Sequence, residues 1–314
     1  MFARRSLHRV APDGSVTATV AYSQDQLSTK TLLSAELGSD SFGALFENTD
    51  GFLFCEMALN GTLDESACAA LVVNTLYLPR VVFDGLRYQV YGFEGDALHR
   101  WTMPASGEVV AENVVPGPRG HTLLGAGWDA TTQTVRLVAQ GRHEGGCGTV
   151  VQYVTDGNTL MEESDLLPED YVGGSATVAS DGSVLAVMLS GRCLQSGTTE
   201  CAGVEGEDVA LLRRGTTGAE QTALVALPAE RGGDQLFIDG MSTVFVTRRA
   251  SETSVSVFSS NGATEVLDVV VPIASGGNLG DLAAGGALGN NDYLLAFTAT
   301  YDEQRNYLAR FHVQ

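Results

Sequence analysis

The chain has 314 residues, 44% of them hydrophobic and only 18% charged, so it can bury a sizeable core and is not a disordered tail. Its formal net charge is −20, a field that repels nucleic acid and anionic membrane surfaces and argues against both as partners. No apolar run reaches the ~20 residues that a spanning helix needs.

Met1-Phe2-Ala3-Arg4-Arg5 looks like the basic start of a signal peptide. Pro12 and Asp13 interrupt before any apolar segment develops. The expectation is a cytosolic chain, or an exported one whose signal has been removed.

From there the chain repeats one unit: a strand-like run, an Asp-Gly turn or a variant of it, and a second strand-like run. The turns fall at Asp13-Gly14, Asp50-Gly51, Asp84-Gly85, Asp129-Ala130, Asp181-Gly182, Asp239-Gly240 and Asn291-Asp292. Their mean spacing is about 45 residues, the size of a propeller blade. The runs that follow have β composition, for example Phe52–Leu59, Leu86–Phe93 and Val184–Leu189. Val135-Arg136-Leu137-Val138 and Thr243-Val244-Phe245-Val246 are mostly apolar, which suits strands covered on both faces. A third strand follows in each unit. A fourth, clearest in mid-chain, ends in an apolar-Pro step: Val115-Pro116, Leu167-Pro168, Leu227-Pro228, Val271-Pro272 and, by the same reading, Leu78-Pro79. Helix is scarce; Leu63–Ala70 is expected as one helical turn capped by Asp64.

Four antiparallel strands repeated seven times predict an all-β fold, a seven-bladed β-propeller in one domain over 1–314. The expected blades are about 1–37, 38–79, 80–116, 117–168, 169–228, 229–272 and 273–314. Six blades plus irregular ends is the alternative. The Asp-Gly pattern resembles the TolB-like and WD40-like propellers at the level of fold, without the Trp-Asp, kelch or sialidase Asp-box signatures. The last unit stops at its third strand, so the N-terminus would have to supply the outer strand. Met1–Ser6 could, but too few residues then remain before an inner strand near Leu7–Ala11 to cross a blade, so a three-stranded closing blade or further upstream residues are the alternatives.

Cys55 and Cys68 flank Asn60-Gly61-Thr62 at similar distances and are expected to face each other across a hairpin. Cys193 and Cys201 bracket a polar loop and form a second expected pair. Two local disulfides point to an extracellular, periplasmic or cell-surface location. Cys147 is the odd cysteine. Neither pair has zinc-ligand spacing.

If the Asp-Gly turns mark one edge of the sheets, function belongs on the opposite edge, where the long connections 141–148, 168–176, 191–207 and 272–281 lie. Arg142-His143-Glu144-Gly145-Gly146-Cys147 is the most reactive-looking stretch, with an exposed glycine loop as the plain expectation. His121 is expected to enter an inner strand near the channel, as a hydrogen-bonded histidine or a ligand; His8 and Arg9 hold the matching place in the first unit. Glu162, Glu163, Asp165, Glu169 and Asp170 offer the hard oxygens that Ca2+ takes, but without EF-hand spacing, and a solvated edge is expected. Asn48 and Asp234 are further channel candidates. Trp101 reads as a packed strand residue, and Trp128 as core or as a sugar-stacking platform. No nucleophile elbow, P-loop or dinucleotide fingerprint occurs, and no catalytic residue or cofactor is assigned. The sequence therefore predicts a module binding a protein or glycan; a metal-dependent hydrolase or lactonase-like enzyme with a site in the central channel is the alternative.

Overall fold

The computed structural model describes residues 6–10, 16–21, 31–48, 51–58, 63–71, 73, 76–103, 111–143, 146–167, 171–178, 182, 184–192, 208–215, 220–226, 231–239, 242–249, 254–260, 264–270, 278–289, 292–300 and 304–312. Among these there are 25 strands and no helix. Strands β1 (Ser6–Val10) and β2 (Val16–Ala21) pair as a hairpin. Strands β3 (Thr31–Leu37), β4 (Ser41–Asn48), β5 (Gly51–Ala58) and β6 (Leu63–Leu71) form a four-stranded antiparallel sheet. The same order repeats in β7 (Tyr77–Phe83), β8 (Tyr88–Glu94), β9 (Ala97–Thr102) and β10 (Ala111–Pro116). It repeats again in β11 (Thr122–Asp129), β12 (Thr134–His143), β13 (Gly146–Thr155) and β14 (Leu160–Leu167). Next come β15 (Tyr171–Val178), β16 (Val184–Arg192), β17 (Asp208–Gly215) and β18 (Glu220–Ala226). After them come β19 (Arg231–Asp239), β20 (Ser242–Arg249), β21 (Ser254–Ser260) and β22 (Thr264–Val270). Strands β23 (Asn278–Gly289), β24 (Asp292–Thr300) and β25 (Gln304–His312) form the last sheet, which β1 extends by pairing parallel to β25, with β2 outside it.

The strands pack as two units. Unit 1 comprises Met1–Asn74, Met103–Val110 and Glu230–Gln314, and unit 2 comprises Thr75–Thr102 and Ala111–Ala229. In unit 1 the first strand β23 lies against β19 and β3. In unit 2 the first strand β11 lies between β7 and β15.

Unit 2 shows why its strands are apolar on both faces. Val135, Leu137, Ala139, Val151 and Tyr153 pack toward the β7–β10 sheet, against Tyr91, Phe93, Leu98 and Val115. Val138 and Val150 face the other way, against Ala176, Val178, Leu185 and Val187. The period of two is intact, but both faces meet a neighbouring sheet. At roughly 1.5–3 kcal/mol per large apolar side chain, this burial dominates the stability of the stack. The first strands approach so closely that a Cβ at Gly125 would collide with the Ala176 carbonyl.

The turns occupy several kinds of position. Asp84-Gly85, Asp129, Gly182, Asp239 and Asp292 lie at the junctions of first and second strands, while Asp181, Gly240 and Asn291 lie outside the described residues. Gly51, at φ 124°, instead opens the third strand β5 directly after the second strand β4, and Asp50 lies outside the described residues. The first-to-second connection of that sheet is Gly38-Ser39-Asp40, closed by Gly38 N–H to the Ser41 carbonyl at 2.9 Å. Asp13-Gly14 falls between β1 and β2, outside the described residues.

Four local expectations are corrected. Leu63–Ala70 is strand β6 and not a helical turn, because pairing with β5 outweighs local propensity. Leu78-Pro79 lies inside the first strand β7, at a register shift between Tyr77 and Arg80, and not at the end of a fourth strand. Ser6–Val10, with His8 and Arg9, is flanked by β25 and β2 and is not a first strand. Asn48 ends the second strand β4 and does not lie on a first strand.

Candidate functional site

Asp84 and Asp129 are turn formers. Asp84 Oδ1 accepts the N–H groups of Leu86 and Arg87 at 2.9 and 2.8 Å. Asp129 Oδ1 accepts those of Thr131 and Thr132 at 3.0 and 3.2 Å. Each second oxygen holds a side chain of the next strand: Gln89 Nε2 on Asp84, and Nε and Nη2 of Arg136 on Asp129. Burial pushes the Asp129 carboxyl up, but the hydrogen bonds from Thr132, Arg136 and Thr131 outweigh it and hold the pKa below the usual carboxylate value. Their carboxylates are thus spent on structure.

The opposite edge of unit 2 is assembled from three connections. Gly117 N–H donates to the Asp96 carbonyl at 2.8 Å, and Gly120 N–H donates to the Gly95 carbonyl at 3.4 Å. This ties the 117–121 connection to the β8–β9 turn. His121 stands at the entry of β11, with Nδ1 3.2 Å from the Arg119 carbonyl and Nε2 3.4 Å from the Tyr153 hydroxyl. Its ring lies 6.0 Å from Tyr153 and 6.4 Å from Phe93, centroid to centroid. A Cβ at Gly141 would press on the same imidazole, so the β12–β13 hairpin closes over it. His121 is therefore a hydrogen-bonded, partly buried histidine at the mouth of a first strand.

The stretch expected as an exposed glycine loop is largely strand. β12 continues to His143, β13 resumes at Gly146, and Arg142 stands opposite Cys147. A ladder partner on each side, invisible in composition, extends the hairpin. Asp234 lies in β19 at a register shift between Gly232 and Gln235. Glu169, Asp170, Cys193 and Cys201 lie outside the described residues. Cys55 and Cys68 form the expected disulfide, directly opposite on β5 and β6 with Cα atoms 4.2 Å apart. Glu162 and Glu163 are exposed, and Glu163 accepts from Arg136 Nη1 at 2.7 Å and from Gln152 Nε2. Trp101 is buried and stacks on His99 at 5.4 Å; Trp128 packs partly buried against the core. Among the described residues no three His, Cys, Asp or Glu side chains are arranged to hold a metal. No helix among them is long and apolar enough to cross a membrane.

Arg80 is the residue that the sequence reading missed. It sits mid-strand in β7 and donates from Nε and Nη2 to the Leu124 carbonyl at 3.2 and 3.0 Å. Leu124 lies at the register shift of β11 between Leu123 and Gly125, so the ladder leaves its backbone irregular. Desolvation lowers the Arg80 pKa to about 10. The available signal was a lone charge in the apolar run Tyr-Leu-Pro-Arg-Val-Val-Phe.

No protein-family model and no curated protein sequence matches the chain. Solved structures do. AofleA from Arthrobotrys oligospora aligns over 100% of this chain and 93% of its own, with a TM-score of 0.60 and 12% identity. The β-propeller domain of Cps50 (Swd1) from Myceliophthora thermophila aligns over 91% of this chain and 100% of its own, with a TM-score of 0.51 and 7% identity. TolB from Acinetobacter baumannii aligns over 87% of this chain and 66% of its own, with a TM-score of 0.51 and 10% identity. These neighbours are β-propellers, in keeping with the expected resemblance, and at such identities the likeness shows the fold alone.

Proposed function

We propose that the chain is an extracellular or cell-surface recognition module that binds a protein or glycan partner. Its binding edge is the one opposite the Asp turns. The observation that carries the reading is the junction of the β8–β9 turn, the 117–121 connection and the β12–β13 hairpin around His121. Connections cross-linked by backbone hydrogen bonds on a stack of sheets form a preorganised surface, which lowers the ordering cost of binding. The Cys55–Cys68 disulfide supports an oxidising compartment. The six sheets formed by the described strands support a six-bladed ring, with β1 and β2 as outer strands of the last blade. In that arrangement the two turns at Asp13 and Asp50 do not mark blades of their own.

The test is a binding screen on arrays of glycans and of extracellular proteins, run with paired variants. Arg119→Glu on the proposed edge is expected to abolish binding, and Arg87→Glu on the turn edge to leave it intact. The reverse result rejects the reading. Elemental analysis addresses the enzyme alternative: a stoichiometric, tightly held Ca2+ or Zn2+ would favour a metal-dependent hydrolase.

A further inference from the structure

We infer that Arg80, held between the register shifts of β7 and β11, is the cationic wall of a subsite for a small oxyanion, a carboxylate or a phosphate group. The inference does not depend on which macromolecule the loop edge takes.

The geometry is specific. Only one edge of the guanidinium is used: Nε and Nη2 converge on the single Leu124 oxygen. Among the described residues Nη1 has no hydrogen-bond partner, and Arg80 as a whole is partly buried. The Nη1–Nη2 edge is therefore free for the two-pronged grip that guanidinium gives a carboxylate or phosphate. The residue is partly exposed, so a small ligand can reach it.

Among the described residues no carboxylate pairs with this charge. Arg136, in the same unit, is matched by Asp129 at 3.0 Å and by Glu163 at 2.7 Å. Among the described residues Arg80 makes no such ion pair, and its pKa is lowered by desolvation. A carbonyl satisfies donors but not charge. Arginine cannot shed its proton to escape the cost, so a desolvated guanidinium calls for an anion. The backbone beside it is also strained. Leu78, two residues before Arg80 and directly before Pro79, has φ 46° and a side chain 49% exposed. A residue before proline ordinarily avoids this region. The bulge of β7 re-aims the strand at Arg80, as bulges do beside binding sites. A purely structural clasp of β7 to β11 would need only a neutral donor such as glutamine.

The experiment uses the full chain at about 0.15 M ionic strength, where remote carboxylates are screened beyond about 8 Å. Inorganic phosphate and acetate are titrated separately by calorimetry, with chloride at equal ionic strength as the reference. The expected result is saturable binding of at least one of the two, weakened at least about tenfold in Arg80→Met. The arm that binds more tightly identifies the ligand as phosphate-like or carboxylate-like. Should Arg80→Met not fold, Arg80→Lys is read instead; it keeps the charge but not the fork, and a loss of at least about threefold is expected. The inference is overturned by an absence of saturable binding above the chloride reference. It is equally overturned if binding is retained within twofold in the folded variant.

Discussion

In the β3–β6 sheet of unit 1 the third and fourth strands are joined covalently, Cys55 to Cys68 at facing positions. In unit 2 the sheets are joined to one another by polar side chains that reach for backbone. Arg80 holds the Leu124 carbonyl, Arg100 Nη1 holds the Asp156 carbonyl at 3.2 Å, and Asn113 Nδ2 holds the Gly157 carbonyl. Asp129 packs directly beneath Gly182 of the next sheet. The covalent device fixes register within one sheet and answers to redox state. The polar devices fix one sheet against the next and answer to charge. Ionisable groups sharpen the contrast. Glu36, on β3, has its pKa raised to about 8 by desolvation, so it sheds its charge by keeping its proton at neutral pH. Arg80 has no such route.

The comparison can be broken from either side. The largest effect is expected from removing the staple. Replacing Cys55 and Cys68 together by alanine should cost about 2–4 kcal/mol in urea unfolding. Dithiothreitol should lower the wild-type midpoint similarly and leave the double variant unchanged; an unshifted wild type would show that the bond does not stabilise the fold.

Next, Gly182→Ala should cost about 2 kcal/mol or more. Gly182 sits at φ 68°, and an added Cβ would meet the Asp129 carboxylate. Asp129→Ala combined with Gly182→Ala should recover part of that loss in a double-mutant cycle; strict additivity would mean that the contact is not felt.

Smaller effects follow pH, with opposite signs in the two units. For Glu36 the folded pKa lies above the unfolded value near 4.3. Its contribution is therefore fully present below about pH 4.3 and is lost as pH rises through about 8. Glu36→Gln should flatten that decline and stabilise the protein by about 1–2 kcal/mol above pH 8. A variant curve parallel to wild type across this range would contradict it. Asp129 has a lowered pKa, so its contribution is present above the unfolded value near 3.9 and is lost as pH falls through the folded value. Asp129→Asn should cost about 1 kcal/mol at pH 7 and make the acid limb shallower; a chevron or urea series at pH 7 and pH 3 reads both.

The turns show how far local sequence reaches. Asp84 and Asp129 were legible as turn formers because the bonds they make are to N–H groups two and three residues on. The same chemistry at Asp50-Gly51 says that the chain reverses there, but not which pair of strands it joins. Cys55 and Cys68 were legible because a hairpin brings near positions together. Leu63–Leu71 was not, since its apolar and acidic residues fit a short helix until β5 supplies a ladder. At the candidate site His121 could be placed at a strand entrance, but its contact with Tyr153 spans 32 residues and has no local trace.

By itself the sequence determined an all-β chain with strands apolar on both faces, tight acid-capped turns and one cross-strand disulfide. These follow from the strand period and from bonds within a few residues, which any tertiary arrangement must respect. Only the tertiary structure decided that β1 pairs parallel with β25, that Gly51 opens a third strand and not a second, and that Arg80 meets Leu124, 44 residues away, with no ion-pair partner among the described residues. Such outcomes depend on which strands become neighbours, and long-range pairing is a property of the packed whole, not of any segment.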